Sequence, residues 1–386
     1  VHHAQAIGAP ATLRDLKRLR IGIDARAAAE VAAGRGRFVR ETLAALARGE
    51  DDVEYVLYAR ERWGELPPER FRWRLLAAGD PWWHVLAARA ANRECDVFLS
   101  TNSYLTTWLL RIPAVPVIYD MVAFDRAHQP NRRSAVIERL TIDICVRRSD
   151  AFIAISRATA DDFERRFPRA AGRVTVAPLG VAPQLGEEDT SSAHRADLPT
   201  DGFVLAVGTL EPRKNLPRLV AAYGQLDQRL QRDHPLVVVG DLGWRTDDTL
   251  KALESLGERC VLLGKVSDAT LAELYRRCAV FCYPSLYEGF GLPVLEAMAA
   301  GAPVVTSNVS SLPEVGGDAV YYADPHDPAS IASALRLLLG SPERRAALGA
   351  AGRERAADFT WERTAREVLA VLRDAAKRPV GAAWDV

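Results

Sequence analysis

The sequence predicts an α/β protein made of two Rossmann-like domains facing each other across a deep cleft. Three observations predict it. From Leu19 onward, short apolar runs alternate with amphipathic helical stretches, the pattern of a mainly parallel sheet with crossover helices. That series ends in a segment, 178–202, rich in Pro, Gly, Ser, Thr and acidic residues and without an apolar period, and a second series of the same kind follows. The length, 386 residues, suits about two domains.

Taken in order, residues 20–24 read as a strand and 38–47 as a helix with apolar residues at helical spacing. Further strands are expected at 54–58, 96–100, 115–119, 151–155 and 174–177. The second series places strands at 203–207, 236–239, 260–263, 280–283, 303–306 and 320–322, with a helix at 268–277. Helices at 328–339, 342–357 and 361–376 close the chain. The expected organisation is a first domain over 11–182, a linker over 183–202 and a second domain over 203–360. A C-terminal helical segment, 361–386, is expected to pack back toward the first domain. In such sheets ligands bind beyond the carboxyl ends of the strands, so function belongs on the strand-to-helix loops around the cleft.

Composition excludes several classes. Fifty Lys plus Arg balance fifty Asp plus Glu, and the halves barely differ, which argues against a nucleic-acid partner. Five scattered Cys do not make a disulfide framework; Cys278 and Cys282 read as core thiols, and a reducing, cytoplasmic setting fits. No apolar run approaches the roughly twenty residues that cross a bilayer. Val1 to Pro10, with His2 and His3, is set aside.

Three loops carry chemistry. Gly34-Arg35-Gly36-Arg37 precedes a helix expected near Phe38; its glycines admit close backbone approach, and a helix N-terminus favours a phosphate. Gly208-Thr209-Leu210-Glu211-Pro212-Arg213-Lys214-Asn215 follows the first strand of the second domain. There Asn215 is expected to cap a helix and set two cations at its positive end, a place for a diphosphate. Glu288-Gly289-Phe290-Gly291-Leu292-Pro293-Val294-Leu295-Glu296 sets a carboxylate at each end of an anion-binding turn, which makes sense if hydroxyls of a sugar and a ribose are held there. Each loop also has a plainer reading: a glycine turn, a charged surface turn, and a first-turn acid that stabilises the helix dipole.

Glu288 and Glu296 around Gly-Phe-Gly-Leu-Pro resemble the signature of glycosyltransferase family 4, the retaining GT-B enzymes of group 1. The Gly208 to Asn215 loop resembles a variant of that family's diphosphate clamp. The likeness covers nearly all of 203–372 and is thinner in the first domain. It implies the GT-B fold and transfer of a hexose from a nucleoside-diphosphate sugar to an acceptor hydroxyl with retention. The family's mannosyltransferases make GDP-mannose the first expectation, with UDP-sugars next. Lys214 and Arg213 would neutralise the leaving diphosphate, and Glu288 would take the sugar hydroxyls. Phe290, Gly291 and Leu292, with Gly289, Gly208 and Thr209, would hold donor, Glu296 would take the ribose, and Lys265 and Val266 would lie against the base. Gly34, Gly36, Arg37, Tyr119 and Asp120 would face acceptor or phosphate. No cofactor and no metal is expected, since the chain has no Asp-x-Asp and front-face attack needs no dedicated protein base.

Two positions depart from the family pattern: Thr209, where many members carry Arg, and Tyr119 before Asp120, where many carry His. They keep open a non-catalytic sugar-nucleotide-binding subunit, and an epimerase on the same fold is the other alternative. The acceptor is expected to be a glycan or lipid-linked glycan. Peripheral contact with the inner face of a membrane is allowed by Trp82, Trp83 and Trp108 and by a helix carrying Val136, Ile137, Leu140 and Ile144 between Arg132, Arg133, Arg147 and Arg148.

Overall fold

The structure is a computed structural model; it describes residues 18–31, 34–125, 132–181 and 202–378, with the side chains of 132–135 outside that description. The N-terminal decapeptide and most of the expected linker lie outside the described residues.

The first sheet contains β1 (Leu19–Asp24), β2 (Val53–Ala59), β3 (Phe71–Leu75), β4 (Val97–Ser100), β5 (Ala114–Ile118), β6 (Phe152–Ala154) and β7 (Val174–Val176). Its order is β3-β2-β1-β4-β5-β6-β7, and all its pairs are parallel. Helices α1 (Arg26–Glu30), α2 (Arg35–Arg48), α3 (Trp82–Glu94), α4 (Arg132–Arg148) and α5 (Arg157–Arg166) supply its connections. The second sheet, β10-β9-β8-β11-β12-β13, is also parallel and comprises β8 (Val204–Val207), β9 (Leu236–Val239), β10 (Cys260–Gly264), β11 (Val280–Tyr283), β12 (Val304–Ser307) and β13 (Tyr321–Ala323). Around it lie α6 (Leu216–Tyr223), α7 (Gln228–Asp233), α8 (Asp247–Glu254), α9 (Asp268–Arg277), α10 (Leu292–Ala299), α11 (Leu312–Gly316), α12 (Pro328–Leu339) and α13 (Pro342–Ala356). Parallel strands covered on both faces are apolar throughout, as in the fully buried runs of β9 and β11.

β3 is an element that periodicity did not mark. Its sequence, Phe-Arg-Trp-Arg-Leu, has an exposed end, and as an edge strand it needs little apolar content. The helix expected near Phe38 begins at Arg35, and α1 stands between it and β1, so the glycine loop does not follow the strand directly.

α14 (Trp361–Ala375) lies against α2 and the first sheet. Arg378 donates to the carbonyl of Asp150 at 2.8 Å, Thr364 donates to that of Pro178, and a Cβ at Gly180 would sit 2.4 Å from the backbone nitrogen of Trp361. Two chain crossings, near 178–181 and 359–361, are thus packed together.

In both sheets the order reverses beside the central strand, between β1 and β4 and between β8 and β11. Those two crevices are where an open α/β sheet binds ligands.

Candidate donor site

In the second crevice, Gly208 leaves β8 with φ of 143° and Pro284 to Gly291 leave the neighbouring β11. Between them Pro212–Lys214 forms a 3-10 turn that aims both cations at the facing loop. Asn215 does not cap α6 with its side chain. It sits in the left-handed region, φ 63°, and its amide donates to the carbonyls of Pro284 (2.9 Å) and Pro325 (2.7 Å), pinning the clamp loop to the glutamate loop.

Glu288 is the hub. One carboxylate oxygen accepts from Lys214 Nζ at 2.7 Å, Ser285 Oγ at 2.6 Å and the Tyr283 hydroxyl at 2.8 Å; the other accepts from Arg213 at 2.7 Å. It is 7% exposed. Burial alone would push its carboxyl up, yet Arg213 and Lys214 hold it down to about 2. Burial lowers Lys214, which also lies 4.9 Å from the centre of the Tyr283 ring. Arg213 is raised against its burial by Glu288 and by Glu211, the latter 2.6 Å away. Lys214 and Arg213 are therefore fixed in place by a carboxylate, as a site for developing negative charge requires.

Ser310 and Ser311 hold the same loop. Ser310 Oγ accepts from the Glu288 nitrogen at 3.0 Å, and Ser311 Oγ reaches the carbonyls of Glu288 (2.9 Å) and Phe290 (2.7 Å). Gly291, φ 109°, opens α10 with Pro293 in its first turn, and Leu292 is half-buried. The Phe290 side chain belongs to the core, edge-on to Phe359, so only its backbone faces the crevice.

Gly289 departs from the expectation that loop glycines make room for a ligand. A Cβ there would lie 2.0 Å from the carbonyl oxygen of Tyr119, and its own carbonyl accepts from Ser156 (2.7 Å) and Thr159 (3.0 Å); it is one of the contacts between the domains. Gly36 departs in the same way, since its Cβ would collide with the Val31 carbonyl at 1.7 Å, so it packs α2 on α1. Gly34, φ 54°, is exposed with open space around it.

Glu296 is buried and ion-paired with Arg37 of the first domain, and Tyr275 donates to it at 3.2 Å. Burial raises its carboxyl while Arg37 lowers it. Arg37 also reaches Asp268 at 3.2 Å, so this predicted phosphate-loop residue meets the predicted ribose residue across the cleft. Thr209 and Lys265 are exposed at the ends of β8 and β10, and Val266 is half-buried. Tyr119 is buried against Phe38 and under Arg35, and Asp120 accepts from the Val122 nitrogen at 2.9 Å.

Ser285, Tyr283, Ser310, Ser311 and the Arg37–Glu296 pair escaped sequence reasoning, because hydroxyls and cross-domain pairs leave no spacing signal. Trp83, considered for a membrane surface, is instead fully buried with Arg26 stacked 3.6 Å over it, and Arg26 in turn clamps the buried Asp24. Cys278 and Cys282 are buried thiols.

Residues 32–185 match the family model for Glycosyltransferase Family 4, and 189–355 that for Glycosyl transferases group 1. O-antigen chain mannosyltransferase B of Escherichia coli is 34% identical over 281 residues, covering 71% of this chain and 73% of that protein. The chain belongs to glycosyltransferase family 4. It is thus a glycosyltransferase of hexosyltransferase type with mannosyltransferases among its relatives. Serotype-specific mannosyltransferase WbdA of Escherichia coli is 35% identical over 56% of this chain but only 28% of its own length. The MMP alpha-(1->4)-mannosyltransferase of Mycolicibacterium hassiacum is 33% identical over 58% of this chain and 54% of its own. Sucrose-phosphate synthase of Thermosynechococcus elongatus has the same fold (TM-score 0.75, 22% identity, 92% of this chain and 99% of that one). So has HepE of Anabaena, solved with UDP and glucose (0.72, 17%, 92% and 100%). The fold of this glycosyltransferase is GT-B. The family implies a nucleotide-sugar donor and a glycan acceptor.

Proposed function

We propose that this glycosyltransferase transfers mannose from GDP-mannose, with retention, to a hydroxyl of a glycan or lipid-linked glycan. The observation that carries the reading is Lys214 and Arg213 locked on Glu288 at the β8/β11 crevice. A donor diphosphate entering there meets two preorganised cations and the first turn of α10, and its charge grows as the glycosidic bond breaks. The departing phosphate oxygen takes the acceptor proton, so no protein base is assigned. The reading needs no metal because the clamp brings its own charge, and UDP-sugars are the second choice of donor. Glu288 keeps both cations in place and offers its second carboxylate oxygen, which accepts only from Arg213 among the described residues, to sugar hydroxyls, and Glu296 shares the ribose with Arg37.

Contact with a membrane-borne acceptor is supported by the outer face of the first domain. Trp82 is 69% exposed, Val85, Leu86, Leu109, Val136, Ile137 and Leu140 are exposed, and Arg89, Arg93 and Arg111 make no ion pair among the described residues. No described helix is long and apolar enough to cross a membrane. The protein would then work as a cytoplasmic enzyme at the inner face of the bilayer.

Diphosphate release from GDP-, UDP-, ADP- and dTDP-sugars, with and without a chelator, tests the proposal. Slow, chelator-insensitive hydrolysis of GDP-mannose that Lys214→Ala abolishes is expected. Binding without release by any donor would favour the non-catalytic reading.

A further inference from the structure

The crevice of the first sheet holds polar groups that the donor site does not use. A cavity of about 230 Å³ lies at the carboxyl ends of β4 and β5, lined among others by Arg35, Tyr104, Tyr119, Ile137, Glu138 and Thr141. Three of its polar groups lack partners among the described residues. The hydroxyl of Tyr119, a residue 7% exposed, is buried with no hydrogen bond. The guanidinium of Arg35 lies 5.4 Å from the Tyr119 ring centre and makes no hydrogen bond or ion pair, and the carboxyl of Glu138 makes none either. A buried hydroxyl without a partner is rare in native proteins, so Tyr119, with the half-buried and unpaired Arg35 and Glu138 beside it on one wall, marks a place that a bound molecule would satisfy.

The chemistry of that molecule follows from the set. Arg35 only donates, Glu138 accepts, and Tyr119 does either; a hydroxyl, which donates and accepts, can bridge all three. Ser100, Thr101 and Thr141 add hydroxyls, while Tyr104, Val117 and Ile137 offer apolar faces to ring C–H groups. Charge argues against an anion. The single guanidinium already feels the carboxylate of Glu138 on the wall and that of Asp120 outside it, so a phosphate or uronate would find no spare positive charge there. At about 230 Å³ the cavity has room for a ring-sized ligand and opens to solvent. The backbone of Tyr119 touches Gly289 of the donor loop, so the cavity adjoins the place of transfer.

We propose that this cavity binds one neutral hexose unit, read by Arg35, Tyr119 and Glu138, and that these residues reject its phosphorylated or carboxylated counterparts. Calling that unit part of the acceptor rests on the proposed function; its binding here does not.

Calorimetric or saturation-transfer NMR titration of the full chain with methyl α-mannopyranoside and with mannose 6-phosphate tests it, with GDP titrated separately. The neutral glycoside is expected to bind at least about tenfold tighter than the phosphate. Arg35→Ala and Glu138→Ala each weaken it by about tenfold or more, while Glu138→Gln, which keeps hydrogen bonding, stays within about threefold. Because the removed groups make no hydrogen bond or ion pair among the described residues, the melting temperatures of these variants stay within roughly 2 °C of wild type. Equal or tighter binding of the phosphate, no effect of Glu138→Ala, or no glycoside binding at millimolar concentration would each overturn the proposal. Glycoside binding with no affinity for GDP or UDP would support the cavity and defeat the donor reading; nucleotide binding without glycoside binding would do the reverse.

Discussion

Glu288 shows how a single buried carboxylate organises a site. Four side-chain donors converge on it, so Lys214→Ala leaves a buried charge with one cation fewer. The expected loss is about 3 kcal/mol in chemical denaturation, and turnover drops by about 10² or more. Its titration has a definite sign. The folded carboxyl is held to about 2, below its ordinary 4.5, so the stability it contributes is complete above the ordinary value and lost as pH falls toward 2. Glu288→Gln is therefore expected to flatten the acid limb of the stability profile between those values, followed by urea melts. The residue types of this hub were legible: Glu288, Arg213 and Lys214 stand out in sequence because their loops carry glycines and charges together. Their mutual pairing was not, since it joins segments about seventy residues apart, and neither were Ser285 and Tyr283, ordinary residues until the fold turns them inward.

At the scale of elements, glycines that look alike in sequence do different work. Gly289 and Gly36 exist for packing, one against the Tyr119 carbonyl and the other under α1, whereas Gly34 faces open space. Gly289→Ala should cost at least about 2 kcal/mol by overpacking and should impair turnover with it, while Gly34→Ala should cost only about 1 kcal/mol through its positive φ. Thermal unfolding of the two variants side by side checks this; equal effects would contradict it. Most strands and helices were legible because buried parallel strands are apolar in every position and helices keep their period. The exceptions have physical causes. β3 is an edge strand with arginines, and the helical start at Arg35 carries no capping side chain to announce it. Asn215 satisfies two carbonyls rather than a helix end, a choice made by loops distant in sequence.

At the scale of the molecule, the two domains meet through named contacts. Arg37 binds Glu296, Ser156 and Thr159 bind the Gly289 carbonyl, and Glu314 accepts from the Arg157 nitrogen at 2.7 Å. Two-domain architecture was visible in the repeated α/β series, but these junctions were not, because nothing in a single sequence couples residue 37 to residue 296. The exposed apolar face of the first domain gives a further expectation. Wild-type protein should co-sediment with vesicles containing anionic phospholipid, and Trp82→Ser with Leu86→Ser should reduce the bound fraction severalfold at unchanged melting temperature. The central claim concerns what happens in the cleft as a whole, and proton NMR of GDP-mannose turnover reads it directly. The account predicts consumption of the donor with the first-formed mannose product in the α configuration of the donor. A β product, or no turnover of any GDP- or UDP-sugar, would contradict it.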